Sequence, residues 1–300
     1  MGHSHAPAGH VGGRYRNKLR TAFVLIALFF VVELVYGLLS HSLALLSDAG
    51  HMAADVVALG AALTATTIAS KPDTTGRRTY GSYRVEVFAS GLAVLLMLGV
   101  AVYVVVEALG RIGSTPDVHT MPMIVVGGLG LIVNVIVLFM LREGASESLN
   151  VKGAYLEVVA DTAGSVGVVA AGLIIKYTGM IWMDTLIALC IGIFVAVRGV
   201  MLGRQVLAVL GQHVPEGLDV DDVDRDLREV DGVRDVHDLH IWVLTSGMNV
   251  ATAHLVTEEI EEHSQILLEA QELLKNRYRV EHATLQLETT PTRNCEELTW

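Results

Sequence analysis

Six long apolar runs leave this chain few architectures to choose from. A helix needs roughly 20 largely apolar residues to cross the hydrocarbon core of a bilayer. Stretches at about 19–39, 42–70, 84–110, 120–141, 150–177 and 181–209 meet that length. Their punctuation agrees with the count. Gly37 closes the first run, Lys71-Pro72 stops the second, Pro116 and Pro122 mark the third connection, and Gly179 marks a short turn before the sixth. Composition points the same way, since 18% of residues are charged where a soluble domain carries roughly 25%. The first run lacks a small-residue cleavage site and reads as a retained span, not a signal peptide.

Basic residues set the expected orientation. Arg14, Arg16, Lys18 and Arg20 precede span one. Lys71, Arg77, Arg78 and Arg84 lie between spans two and three, and Arg142 and Lys152 between four and five. The other side holds only Arg111 and Lys176. The positive-inside rule then places both termini in the cytoplasm of a multi-pass cell-membrane protein.

After about Gly211 the chain turns acidic, with ten Asp and Glu from Glu216 to Asp238. Asp219–Val230 reads as an amphipathic helix, Val236–Thr245 and Val250–Thr257 as a hairpin turning at 246–249, Glu261–Tyr278 as a second helix, and Ala283, Leu285 and Leu287 as a third strand. The expected fold is therefore an α-helical membrane protein of six transmembrane helices with a C-terminal cytoplasmic α+β domain ordered α-β-β-α-β. Its divisions are an N-terminal tail (1–18), a membrane domain (19–210), a cytoplasmic metal-binding and dimerisation domain (211–290) and a C-terminal tail (291–300). A net charge of −11 argues against nucleic acid as a partner. Cys190 and Cys295 make neither a disulfide framework nor a metal motif, and Cys190 reads as apolar filler.

Function concentrates where charge enters the membrane, because ionisable residues inside spans are costly. Span two carries His51 and Asp55, and span five carries Glu157 and Asp161. Each pair is four residues apart and so lies on one helix face. Packing the two faces together offers four ligands around one point, the number zinc prefers. A single buried carboxylate can serve as a helix–helix hydrogen bond or as the partner of a cation. Spans two and five hold no Lys or Arg at mid-depth, so three carboxylates there call for a bound cation or for protons. Asp48 reads equally as support for the cluster or as a cap or packing residue. Glu33 and Asn134 read as structural or pathway-lining. Gly164 and Gly167 let helices approach closely, which brings the two ligand pairs together.

The run His41-Ser42-Leu43-Ala44-Leu45-Leu46-Ser47-Asp48-Ala49-Gly50-His51-Met52 with Asp55, the run Asp161-Thr162-Ala163-Gly164-Ser165-Val166-Gly167, and the tail segments His240-Ile241-Trp242 and Glu281-His282-Ala283-Thr284-Leu285-Gln286 resemble the cation diffusion facilitator family in its zinc-transporting branch. The resemblance spans nearly the whole chain. It implies a homodimer in the lipid bilayer that exports divalent metal, zinc first, in exchange for protons. One departure stands out: Glu157 occupies the place of the His usual in zinc members. Carboxylates suit harder ions, so manganese, iron or cobalt become alternatives. With a divalent ion bound and all three acids ionised, the four-residue cluster would carry a formal charge of −1.

The tail offers further ligands in His237, His240, His254, His263, His282 and Glu288. His282 and Glu288 share a strand face but lie about 20 Å apart, too far for one ion. By the resemblance, His240, His254, His282 and Glu288 align with cytoplasmic zinc-sensing positions; solvated surface histidines are the competing reading. Cys295 stands where a Cys-x-x-Cys pair would begin, but Leu298 takes the second place. His3, His5 and His10 read as a metal-gathering or simply disordered tail, and Asp73 has no histidine near it. Three other functions compete: a proton-coupled transporter of organic solutes, which needs no paired acids; a metal sensor anchored by its spans, which leaves the intramembrane acids unexplained; and a membrane enzyme, for which no nucleophile–base arrangement is found.

Overall fold

The computed structural model describes residues 12–68, 80–81, 84–111, 118–145, 149–245, 247–258 and 263–290. His3, His5, His10, Lys71, Pro72, Asp73, Arg77, Arg78, Pro116, Cys295 and Leu298 lie outside them.

Each apolar run forms one helix: α1 (Gly12–Ser40), α2 (Leu43–Ile68), α3 (Arg84–Gly110), α4 (Thr120–Ala145), α5 (Leu149–Thr178) and α6 (Trp182–Leu210). Helices are what lipid demands, because every backbone N–H and C=O must find its partner within the segment. Pro122 falls in the first turn of α4, where its missing N–H removes no helical hydrogen bond. Among the described residues, five helices, α1 and α3 to α6, are long and apolar enough to cross a membrane; α2, 26 residues long, carries Asp48, His51 and Asp55. The bundle is inverted relative to a soluble core. Leu95 and Phe139, each 69% exposed, point outward, as does Cys190, whereas Glu33, Asp48, His51, Asn134 and Asp161 are buried. An apolar outside around a polar inside suits lipid and not water.

The described residues from 204 onward, together with 80–81 and 84–87, form a second compact unit. It contains α7 (Val220–Arg228), β1 (Val233–Thr245), β2 (Met248–Thr257), α8 (His263–Tyr278) and β3 (Val280–Glu288). The expected α-β-β-α-β order holds, with boundaries shifted by a few residues. Asp219 caps α7, accepting from the Asp221 N–H at 3.0 Å. β1 and β2 are antiparallel, and β3 pairs parallel to β2 after the crossover through α8, giving the order β1-β2-β3. Val236, Ile241, Ala251, Ala253 and Leu255 pack with Val223 and Leu227 of α7 and Ala270 and Leu274 of α8. The opposite sheet face mixes polar side chains, His237, His240, Thr252 and His254 among them, with the buried Val250 and Val256.

A bulge in β1 shapes that second face. His237 pairs with His254, but His240 pairs with Thr252, so β1 has one more residue than β2 in between. Asp238, at φ +54°, takes up the extra residue. Residues three apart in a regular strand point to opposite faces; here the bulge returns His237 and His240 to the same one.

Candidate metal sites in the membrane and in the tail domain

The N-terminus of α2 is fixed before its ligands appear. Ser42 caps the helix, its Oγ accepting from the Leu45 N–H at 3.2 Å. The same hydroxyl donates to Asp184 Oδ1 at 2.6 Å. Asp184, buried at the start of α6, also accepts from the backbone N–H groups of Leu43 (2.8 Å) and Ala44 (3.2 Å). A carboxylate at a helix N-terminus satisfies orphan donors and complements the helix dipole. Its own charge is met by Arg111, whose Nη1 lies 3.1 Å from Asp184 Oδ2. One turn deeper, the Ser47 hydroxyl donates to the Ala188 carbonyl at 3.3 Å. The register of α2 against α6 is thereby set, and with it the depth of His51 and Asp55.

α5 meets α2 closely at Gly164. A Cβ there would lie 2.6 Å from Asp48 Oδ1, so only glycine leaves room for that carboxylate. Asp48 also faces Ser165 of α5 and Glu33 of α1, and the Asn134 side-chain amide of α4 donates to Ser165 Oγ at 3.2 Å. Gly167 turns instead toward Ile187 of α6. Of the two expected close-approach glycines, Gly164 is thus the one that brings α5 onto α2.

Three of the four expected ligands converge. His51 Nε2 lies 3.3 Å from Asp161 Oδ1 and 3.7 Å from Asp55 Oδ2. Ligand atoms of His51, Asp55 and Asp161 all fall within 4.8 Å of one another. Asp55 Oδ2 and Asp161 Oδ1 are buried and make no hydrogen bond among the described residues. Such atoms cost free energy unless a cation or proton meets them. An imidazole nitrogen and two carboxylate oxygens around one point are ligands a divalent transition-metal ion accepts.

Glu157 is not in that group. Its carboxylate pairs with the guanidinium of Arg198, which projects from α6. The expectation that no cation neutralises the acids is corrected here. It held for spans two and five, but a third helix supplies the charge. Arg198 Nη1 also lies 3.3 Å from His51 Nε2. Phe194, one turn earlier on α6, sets its ring edge-to-face with His51 (centroids 5.9 Å) and under the Arg198 guanidinium (5.7 Å). The sequence did carry a signal for Arg198: an isolated arginine in an apolar run needs an acidic partner as much as an isolated acid needs a base.

The second cluster lies on the face of the tail sheet opposite the one that packs on α7 and α8. Glu288 Oε1 accepts from His254 Nδ1 at 2.6 Å and lies 3.4 Å from His237 Nε2. Ligand atoms of His237, His254 and Glu288 again fall within 4.8 Å of one another. His240 is drawn aside to Asp238, its Nε2 2.9 Å from Oδ1. His282 lies elsewhere on the face, its ring edge-to-face with Tyr80 at 5.5 Å. His263 faces the Thr257 hydroxyl at 2.7 Å. The separation of His282 from Glu288 expected from strand geometry therefore holds, and Glu288 finds its histidines on β1 and β2.

Residues 19–210 match the family model of the cation efflux transmembrane domain, and residues 215–290 that of the cation efflux protein cytoplasmic domain. The chain belongs to the cation efflux family, the cation diffusion facilitators. Cation efflux relatives match it almost end to end. The metal cation efflux system protein CzcD of Cupriavidus metallidurans is 43% identical over 99% of this chain and 92% of its own length. The cadmium, cobalt and zinc/H(+)-K(+) antiporter of Bacillus subtilis is 34% identical over 96% of this chain and 92% of its own. The zinc transporter ZitB of Escherichia coli is 33% identical over 96% and 92%. The resemblance read from the span-two motif is borne out. The cation efflux proteins are transporters, which sets aside the reading as a membrane enzyme.

Proposed function

We propose that this protein exports divalent metal ions, zinc first among them, through an intramembrane site formed by His51, Asp55 and Asp161 with Glu157 beside it. The observation that carries this reading is the convergence of those three residues, with buried carboxylate oxygens that accept no hydrogen bond among the described residues. Family membership and relatives named for zinc, cadmium and cobalt support it. Transport proceeds by alternating access. An ion entering from the cytoplasm displaces protons from the cluster, and protons take its place when it leaves. The antiporter name of the Bacillus relative favours proton exchange. The distribution of Lys and Arg favours a cell-membrane orientation with both termini cytoplasmic.

In the tail domain we read His237, His254 and Glu288 as a regulatory zinc site, with His240 and Asp238 at its edge. The match to the family's cytoplasmic domain and the implication of the sequence motifs favour a homodimer. Glu157 supports a second reading of selectivity, toward manganese, iron or cobalt, because a third carboxylate would suit a harder ion than zinc.

The test is flux into proteoliposomes holding purified full-length protein, with zinc, cadmium, cobalt, manganese and iron supplied one at a time across a pH gradient. Zinc uptake that collapses with the gradient, and falls by about 100-fold or more in Asp55→Ala and Asp161→Ala, is expected, since each loses a direct ligand worth several kcal/mol. Normal transport by both variants refutes the site. Zinc bound by the tail domain with no flux of any metal would favour a sensor.

A further inference from the structure

Arg198 bridges two groups of the transport site from outside the ligand pairs. Its guanidinium ion-pairs with Glu157 and places Nη1 3.3 Å from His51 Nε2, the atom that also faces Asp161 and Asp55. Its side chain is 26% exposed, so it is held within the protein and not spread on the outer surface. Phe194 supports it through the cation–π contact one turn away.

Two consequences follow from charge and geometry. The first is electroneutrality. Asp55, Asp161 and Glu157 contribute three negative charges, Arg198 one positive, and a divalent ion two, so the sum is zero where the ligands and ion alone would give −1. The second is competition. An imidazole nitrogen has one lone pair. While Arg198 donates to His51 Nε2, that nitrogen cannot bind a metal. While Arg198 holds Glu157, that carboxylate is not free to join the ligands. The guanidinium fork suits this double hold, because it presents several donors in a fixed plane.

We propose that Arg198 is a tethered counter-cation that competes with the transported ion for His51 Nε2 and Glu157, limiting how tightly the ion is held and disfavouring hard ions that would use Glu157. This rests on the export reading above, and Arg198 acts on the ion only through those two groups. An ion arriving at Asp55 and Asp161 displaces the guanidinium from His51; when the ion leaves, the guanidinium returns. A tethered competitor weakens binding and speeds release, which a transporter needs more than affinity.

Equilibrium binding of zinc, and separately of manganese, to the detergent-purified full-length chain tests this. The measurement is made in a His237→Ala/His254→Ala background so that the tail site does not contribute. Arg198→Met should tighten zinc binding by about tenfold, the worth of one charge-assisted hydrogen bond. Manganese should gain more than zinc, because Glu157 is freed for it. Glu157→Gln moves the opposite way, since Arg198 then stays on His51 and zinc binds more weakly. A structural role would weaken binding in both variants. Arg198→Met that fails to tighten zinc binding overturns the proposal. If Arg198→Met does not accumulate as folded protein, Arg198→Lys carries the same test. An ammonium cannot hold both partners in one plane, so binding tightens by a smaller factor, and no change overturns the proposal. Absence of flux by the wild-type chain would remove the export reading but leave these binding shifts to be read on their own.

Discussion

At Gly164 a single methyl group decides whether α5 can meet α2. With Asp48 Oδ1 only 2.6 Å from the Cβ position, Gly164→Ala displaces the carboxylate or parts the helices. Overpacking of this kind costs about 1–3 kcal/mol. Gly164→Ala should lower the melting temperature in detergent and weaken zinc transport, whereas Gly99→Ala, with nothing within 4 Å, should do neither. Tyr278 offers a residue-scale test outside the membrane. Its hydroxyl donates to the Asp226 carboxylate and to the Asp222 carbonyl (3.1 Å), and burial with the nearby carboxylate pushes its pKa up to about 12 from 10.0. A raised folded-state pKa means the stabilisation is whole below pH 10 and is lost as pH climbs toward 12. Tyr278→Phe should cost about 1 kcal/mol near neutrality, and the gap should close across that alkaline window in urea titrations. Residue identities were most legible where chemistry was unusual. His51, Asp55 and Asp161 declare themselves by spacing within an apolar helix. Their true neighbour Arg198 lies 37 positions beyond Asp161 on another span, and no helical period connects them.

Element by element, boundaries followed from apolar length, Gly and Pro, and the tail's α-β-β-α-β order from switching hydrophobic periods. Anchoring was not legible. Asp184 looks in sequence like an ordinary acidic residue in the first turn of α6, yet it caps α2 and neutralises Arg111 across 142 and 73 positions respectively. Breaking a buried ion pair from one side is far costlier than lacking it, because the remaining charge stays buried. Asp184→Asn should therefore destabilise the bundle by about 3 kcal/mol, read as a fall in thermal midpoint, and should reduce transport although the residue touches no metal ligand. The β1 bulge escaped the sequence for a different reason. An alternating pattern does not announce one extra residue, and only Asp238, a residue type that tolerates positive φ, hinted at it. Without that bulge His237 and His240 would lie on opposite faces.

Across the whole molecule, the bundle gathers one histidine and two carboxylates, His51, Asp55 and Asp161, and the tail unit two histidines and one carboxylate, His237, His254 and Glu288, in different surroundings. The bundle cluster is buried among helices, where its acids demand a partner. His237 and His254 are half-buried on the tail sheet beside the buried Glu288. A ligand that binds only the folded state stabilises it by an amount that grows with the logarithm of its concentration over Kd. Zinc should therefore raise the thermal midpoint of the tail unit within the full-length chain, and Glu288→Gln should remove that increment while zinc binding to the membrane cluster persists. Loss of both together would couple the clusters more tightly than their separate geometry requires.

The ligand set itself is open to direct measurement by zinc X-ray absorption on the full-length protein, with the tail site removed by His237→Ala/His254→Ala. A shell of one imidazole nitrogen and carboxylate oxygens at about 2.0–2.2 Å, without sulfur, is expected. Asp161→Ala should abolish that shell or strip an oxygen from it. A shell with several imidazoles, or one unchanged in Asp161→Ala, would contradict the assignment of His51, Asp55 and Asp161 as the residues that hold the transported ion.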